Sequence, residues 1–282
     1  MSFSNQNILI TGGTGSLGQK LAERFLRLDV NKVIILSRGE YAQVKMRREL
    51  NDERLRFFIG DVRDKERLCR AFEGVDIVIH CAALKHIDVG EYNPLEFFKT
   101  NVVGSANVID VAIDKSVKKV LAISTDKGVE PVSTYGGTKF DADRLFIEGK
   151  VYAGKKDTKF SIIRFGNFEW SSGSVQEYFL KLKDKGEKTL PITDFKMRRY
   201  FISIENGVTR ILEALTIMEG GEIFIPRMDE QKIVDIAKQI HPRAKLVEIG
   251  IRPGEKLSEK LYNEVEARNL KQLKNFNVIY ST

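Results

Sequence analysis

The chain has 282 residues, with 46 Lys and Arg against 39 Asp and Glu, for a formal charge of +7. Hydrophobic content of 42% and 30% charged residues describe an ordinary globular protein, and no apolar run approaches the ~18 residues of a membrane helix. The basic residues are interleaved with acids and carry no aromatic–basic stacking motif, which argues against nucleic acid; an anionic small molecule suits the excess. Residues 7–11, NILIT, predict a short buried strand. Gly12, Gly15 and Gly18 follow as G-x-x-G-x-x-G, and an amphipathic helix is expected over 16–28. In such a turn the first glycine permits the bend, the second lets backbone approach a pyrophosphate, and the third allows close helix–sheet packing. The helix amino terminus offers N–H groups and a partial positive charge to phosphates.

The next strand, 32–36, ends in Ser37-Arg38. An NAD enzyme commonly places an acid there for the ribose hydroxyls, whereas an arginine suits a 2′-phosphate. Arg38, with Lys45 nearby, therefore points to NADP. Strand 56–59 ends in Gly60-Asp61-Val62, where Asp61 either faces the adenine or caps a helix over 64–72. Further strands are expected at 76–80, 120–124 and 160–165, and helices at 40–50, 93–115, 134–149 and 174–185. This alternation predicts an α/β, Rossmann-like, doubly wound parallel sheet over residues 1–165. After residue 166 the rhythm breaks. Loops carrying Trp170, Pro191, Pro226, Pro242 and Pro253 alternate with helices expected near 205–218, 229–240 and 255–261. Residues 166–282 thus read as a smaller carboxyl-terminal substrate-binding lobe, partly interleaved with the first, since 222–225 (EIFI) suits a return to the main sheet.

The apolar run Val120-Leu121-Ala122-Ile123 leads into Thr125-Asp126-Lys127, and Tyr135 and Lys139 follow as Tyr-x-x-x-Lys. The triplet belongs at the carboxyl end of a parallel strand, where open α/β sheets place chemistry. Tyr135 and Lys139, four apart, share a helix face. A lysine cation beside a tyrosine is expected to favour phenolate and lower the phenol's pKa. Asp126 then supplies an acid and Lys127 a base. Such a set does more than move a hydride; it also takes a proton from carbon and expels a hydroxyl. Cys69 and Cys81 show no metal spacing and read as free thiols in a reducing cytoplasm. His80, His86 and His241 are too scattered for a metal site. The first residues, MSFSNQNILI, have neither a charged n-region nor a long apolar core, so no secretory signal is expected.

Together these residues resemble the extended short-chain dehydrogenase/reductase superfamily. More closely, they resemble its inverting UDP-N-acetylglucosamine 4,6-dehydratases that are also 5-epimerases, of pseudaminic acid and capsule biosynthesis. The resemblance runs through ILITGGTGSLG, RFFIGDVRD, CAALKHID, EYNPLE, STDKG, YGGTK, RFGN, LPITD, MRRYFIS, GGEIFIPRM and IGIRPGEKL. It implies NADP as cofactor, a UDP-sugar as substrate and a homo-oligomer, from dimer to hexamer. Beyond the glycines, Thr14, Ser16, Leu17, Ser37 and Val62 would touch the cofactor. Ala82, Ala83, Lys85, Tyr135 and Lys139 would do so too, and Asn101 either joins them, organising the site, or is a buried structural amide. Lys85, Asn167, Val175 and Thr193 would line the sugar nucleotide, with Met197, Arg199, Arg252 and Glu255. The two arginines match phosphate geometry. Trp170 reads either as a core or rim aromatic or as a platform for uracil or sugar.

Two departures stand out. The loop after RFGN carries Ser172 and Gln176 where the family has Arg and Pro, and Ser258 replaces the His that commonly follows IRPGEKL. The intact triplet and Tyr-x-x-x-Lys argue against a dead homologue. Dehydration without inversion, nucleotide-sugar 4-epimerisation and a non-catalytic NADP-binding scaffold are the rival readings.

Overall fold

The computed structural model describes residues 3–280; the ends of both expected lobes, 1–2 and 281–282, lie outside the described residues. In chain order the strands are β1 (Asn7–Thr11), β2 (Lys32–Ser37), β3 (Leu55–Ile59), β4 (Ile77–His80), β5 (Lys119–Thr125) and β6 (Lys159–Phe165). They continue as β7 (Asn167–Phe168), β8 (Thr189–Ile192), β9 (Arg198–Ile202), β10 (Glu222–Pro226), β11 (Asp229–Lys232), β12 (Lys245–Glu248), β13 (Leu270–Gln272) and β14 (Phe276–Tyr280). Nine of them form one sheet, in the order β13-β14-β10-β6-β5-β4-β1-β2-β3. The run from β3 to β6 is parallel, and its order reverses between β1 and β4, where such sheets open a crevice at their carboxyl ends. EIFI does return to this sheet, parallel to β6, and β14 closes on it antiparallel.

Alternation along the strands explains the two covered faces. Ile8 and Ile10 pack on one side with Leu21, Phe25, Ile211 and Leu215. Leu9, Val78 and Val120 pack on the other with Leu68, Val108 and Phe146. Each fully buried aliphatic side chain contributes about 1.5–3 kcal/mol, so these layers fix the strand ends that carry the polar residues. A third, smaller core gathers Phe179, Leu190, Ile192, Met197, Phe201, Ile233 and Ile236. It lies between the three-stranded sheet β11-β9-β7, the pair β12-β8 and the helices Val175–Asp184 and Ile233–Ile240.

Several expected elements differ. The helix expected over 93–115 is Pro94–Phe97, a π-helical turn Phe98–Val103, then Gly104–Asp114. Pro94 starts the segment because it suits a first helical position, and a separate helix, Ile87–Tyr92, precedes it. The residue types of FKTNVV suit an α-helix as well as a π turn, so the sequence does not announce it. Residues 229–232 pair with β9 before the helix Ile233–Ile240 begins. No helix forms at 255–261. There the Arg199 guanidinium takes the carbonyls of Lys256 and Leu257, which a helix would have used. Pro191 and Pro226 stand in strands, not loops.

Candidate active site

A cleft of about 1390 Å³ opens at the carboxyl ends of the parallel strands. Its floor begins at the glycine turn. Gly12 has φ +65°, and a Cβ there would lie 2.8 Å from the Ala82 amide nitrogen, so only glycine fits the bend. The helix Ser16–Leu26 starts from Gly15 with no side-chain cap on its first-turn N–H groups. A Cβ on Gly15 would meet only the Gly12 carbonyl, so that flank of the turn is free of side chains. A helix terminus with open N–H groups beside bare backbone fits a dinucleotide's pyrophosphate.

At the end of β2, Arg38 faces the cleft. Gln43 fixes this corner, donating to the Ser37 carbonyl and hydroxyl, both at 3.0 Å, and to the Phe58 carbonyl at 2.9 Å. Asp61 also lines the cleft. It does not cap the next helix; Asp64 does, accepting from the Arg67 amide at 2.9 Å. Burial pushes the Asp61 carboxyl up, but hydrogen bonds from Arg63 and the charge of Arg38 outweigh it and hold its pKa below the ordinary value.

The end of β4 is organised by a buried chain of hydrogen bonds. The Ala82 amide donates to Thr11 Oγ1 at 3.2 Å, and Thr11 Oγ1 lies 2.8 Å from His80 Nδ1. His80 Nε2 lies 3.3 Å from Ser105 Oγ, which donates to the Asn101 carbonyl at 2.6 Å. Because Ser105 spends its proton on Asn101, a neutral His80 protonated on Nε2 satisfies every member. Burial, helped by Lys139, depresses His80 to about 3. The group is then neutral when folded and basic when unfolded. Protons bind the unfolded state preferentially below the ordinary pKa near 6.5, so stability falls as pH drops from there toward 3. At pH 5 the expected loss is about 2 kcal/mol. Urea unfolding at pH 7 and pH 5 measures it, and a His80→Gln variant should show a correspondingly flatter pH dependence.

Asn101 does not reach the cleft wall. Its amide receives the Leu84 N–H at 2.8 Å and donates to the Leu84 carbonyl at 2.9 Å and Thr138 Oγ1 at 3.0 Å. It therefore ties the 82–84 loop to the helix carrying Tyr135. The neighbouring Thr100 lines the cleft instead, its buried hydroxyl without a hydrogen-bond partner. Lys45 also stands off the wall, exposed and 3.7 Å from Glu49.

β5 delivers the triplet Thr125-Asp126-Lys127. Thr125 ends the strand and its hydroxyl accepts the Lys127 amide, capping a 3-10 turn Asp126–Gly128. Asp126 is fully buried; its Oδ1 accepts from Thr125 Oγ1 at 3.1 Å and lies 3.0 Å from Lys127 Nζ. Lys127 faces the cleft. The helix Thr134–Ile147 packs onto this turn so closely that a Cβ on Gly136 would overlap the Lys127 carbonyl oxygen. Tyr135 and Lys139 are thereby brought to the same wall as Thr125 and Lys127.

One expectation is reversed in the protein's own field. Burial pushes the Tyr135 phenol up; a hydrogen bond with Thr125 opposes this, and the charges of Asp126 and Asp143 reinforce it. Lys139 does not offset the rise. Its Nζ donates to the Ile123 carbonyl at 2.8 Å, and burial lowers its pKa, with Asp143 opposing. Behind it Asp143 accepts from Ser124 Oγ at 2.6 Å and lies 3.7 Å from Arg164. Arg164 closes a two-pronged pair with Glu266 at 3.0 and 2.9 Å.

The second wall comes from the small core. Asn167, Val175, Thr193, Met197, Arg199, Arg252 and Glu255 all line the cleft. Arg199 spends three of its five donors on the carbonyls of Arg198, Lys256 and Leu257, leaving two. Arg252 pairs with Glu255 at 3.5 Å. Lys85 spans the walls, donating to the Ser172 carbonyl at 2.9 Å. Although Lys85 is exposed as a residue, its ammonium is set against this loop, and burial lowers its pKa while Glu177 opposes. Trp170 is half-exposed, with φ +54°, and stays off the cleft wall: a rim aromatic. Both cysteines are free, and no cluster of three metal-binding side chains exists among the described residues.

The family model described as polysaccharide biosynthesis protein matches residues 8–281. The chain belongs to this polysaccharide biosynthesis family. Within it, the chain is 46% identical over 278 residues to the UDP-N-acetylglucosamine 4,6-dehydratase (inverting) of Campylobacter jejuni subsp. jejuni serotype O:2, covering 98% of this chain and 83% of that protein. It is 36% identical to the UDP-glucose 4-epimerase of Rickettsia felis, covering 94% and 80%. Among solved structures, Pen from Bacillus thuringiensis superposes with a TM-score of 0.96 at 35% identity, over 100% of this chain and 89% of that one. The extended short-chain dehydrogenase/reductase fold of this family member is thus established, and its relatives place it among the nucleotide-sugar dehydratases. No helix among the described residues is long and apolar enough to cross a membrane.

Proposed function

We propose that the protein is an NADP-dependent 4,6-dehydratase of UDP-N-acetylglucosamine that inverts C5. The observation that carries this reading is Lys127 at the end of β5, on the same cleft as Tyr135 and Lys139, with the buried Asp126 carboxylate 3.0 Å behind its ammonium. A hydride-only enzyme has no use for a second acid and base. The 46% identity to an inverting dehydratase supports it.

When bound, NADP⁺ would take the C4 hydride, return it at C6, and add a ring cation that favours the Tyr135 phenolate. Tyr135 accepts the 4-hydroxyl proton. The resulting ketone acidifies C5–H, because the carbanion is an enolate. Lys127 removes that proton and Asp126 protonates the departing 6-hydroxyl. The structure suits this division. Lys127 and Asp126, in contact at 3.0 Å, are one proton transfer away from the neutral amine and neutral acid the elimination needs. Thr125 orients the ketone or its enolate. The small-core wall would hold the UDP moiety, Arg199 and Arg252 facing the diphosphate. The division into a cofactor lobe, 1–165, and a substrate lobe, 166–282, belongs to this reading. So does a homo-oligomer: Tyr92, Leu95, Phe98 and Phe140 leave apolar surface exposed on neighbouring helices.

Incubation with UDP-N-acetylglucosamine in D₂O tests the reading. A 6-deoxy-4-keto product carrying deuterium at C5 with inverted configuration is expected. The same product without inversion corrects the stereochemistry. A 4-epimer without deuterium would favour the Rickettsia-like reaction, and no turnover would remove the substrate assignment. Arg38→Asp should weaken NADP relative to NAD by roughly tenfold or more, since it replaces a cation with an anion beside the 2′-phosphate. Titration of both cofactors against both proteins measures this; an unchanged ratio discards the NADP assignment.

A further inference from the structure

Beside Lys127 stands a carboxylate that the mechanism above leaves unused. Glu259 belongs to the irregular segment after β12. Its side chain is 2% exposed, and its Oε1 lies 4.0 Å from Lys127 Nζ. Its Oε2 lies 2.9 Å from Lys256 Nζ. Lys256 in turn donates to the carbonyls of Val129 at 2.9 Å and Glu130 at 3.1 Å, just beyond the catalytic turn. Lys260 pairs with Glu130 at 2.9 Å. A distant part of the chain is thus clamped onto the catalytic turn, with one carboxylate directed at the base.

Desolvating a carboxylate costs several kcal/mol. A Lys256–Glu259 pair that served only to pin a loop would avoid that cost at the surface. Burial makes sense if the charge acts on Lys127. Lys127 has two carboxylates within reach, Asp126 and Glu259, but Asp126 must release its charge to become the acid. Once the Lys127 proton passes to Asp126, the ionic tether between them is gone. Glu259, paired with Lys256 and 4.0 Å from the Lys127 nitrogen, takes no part in that exchange and stays beside the amine.

Resting on the proposed reading and deepening it, we propose that Glu259 is the positioning residue for Lys127. It holds the amine toward C5 and stabilises the ammonium that forms there. In the step it supports, the C5–H bond breaks and an N–H bond forms on Lys127, and the electron pair enters the enolate. The enolate pair then forms C5=C6 as the C6–O6 bond breaks, and the Asp126 proton leaves with O6 as water. The Lys127 ammonium and Asp126 carboxylate are restored, and Glu259 remains a carboxylate throughout.

Glu259→Gln and Glu259→Asp, each as the full chain with NADP⁺ and UDP-N-acetylglucosamine in D₂O, test this. Single-turnover NADPH formation reads the first oxidation; deuterium at C5 reads the proton transfer. For Glu259→Gln, NADPH formation should stay within roughly threefold of wild type while C5 deuterium uptake falls roughly tenfold or more. Glu259→Asp should recover part of that loss, because it restores the charge. Unchanged C5 uptake in Glu259→Gln, or equal losses in both steps for both variants, would overturn the assignment. Wild-type protein that forms NADPH without C5 exchange would instead sink the dehydratase reading, and this inference with it.

Discussion

Tyr135→Phe should lose the first oxidation: on mixing with UDP-N-acetylglucosamine, the variant should form enzyme-bound NADPH ~10²–10⁴-fold more slowly than wild type, the usual contribution of a general base. The ring is kept, so packing against Phe97, with centroids 6.5 Å apart, should survive. The phenol that is lost sits where burial and the charges of Asp126 and Asp143 push its pKa up. The sign follows. A raised phenol is protonated at neutral pH in the protein's own field, so the wild-type oxidation rate should climb with pH as phenolate forms. The Phe variant should lack that limb. Lys127, on the same wall, is placed to substitute in part, which puts the loss toward the lower end of the range. Stopped-flow absorbance of NADPH across pH measures both features. A variant that reduces its cofactor at the wild-type rate would remove Tyr135 as the base.

The part of this site that the sequence disclosed is the part built on short, strong patterns. The glycine turn, the strand–triplet junction and the helix carrying Tyr135 and Lys139 each declare themselves within a dozen residues, because buried parallel strands are continuous apolar runs. What stayed hidden depends on long-range contact. Glu259 reaches Lys127 from 132 positions away by a charge pair, and nothing local to LSEKL announces it. Arg199 looked like a phosphate ligand but also holds the 256–257 backbone, which is why the expected helix at 255–261 is absent. In the π turn at Phe98–Val103, Asn101 turns inward to Leu84 and Thr138 as a buried structural amide, and Thr100 lines the cleft. The pKa of Tyr135 went the other way because spacing reports that a lysine is near, while burial is a property of the whole fold.

Lys127→Ala should separate the two halves of the reaction. The first oxidation should proceed, because Tyr135, Lys139 and the glycine turn are untouched, so NADPH accumulates on the enzyme. Elimination should stop, with C5 deuterium uptake down ~10²–10⁴-fold, as expected for removal of a general base. Some stability should go as well. Asp126 is fully buried and Lys127 is its cationic partner, so the variant leaves a buried carboxylate with only the Thr125 hydroxyl. Breaking a buried pair from one side costs about 3–5 kcal/mol when nothing relaxes, and less where the orphaned acid takes up a proton. NADPH formation supplies the internal control, since a protein that oxidises its substrate is folded at the site. Mass spectrometry of the sugar after a single turnover in D₂O should then show neither dehydration nor label. Full product from this variant would take Lys127 out of the mechanism and leave Asp126 without the neighbour that makes it an acid.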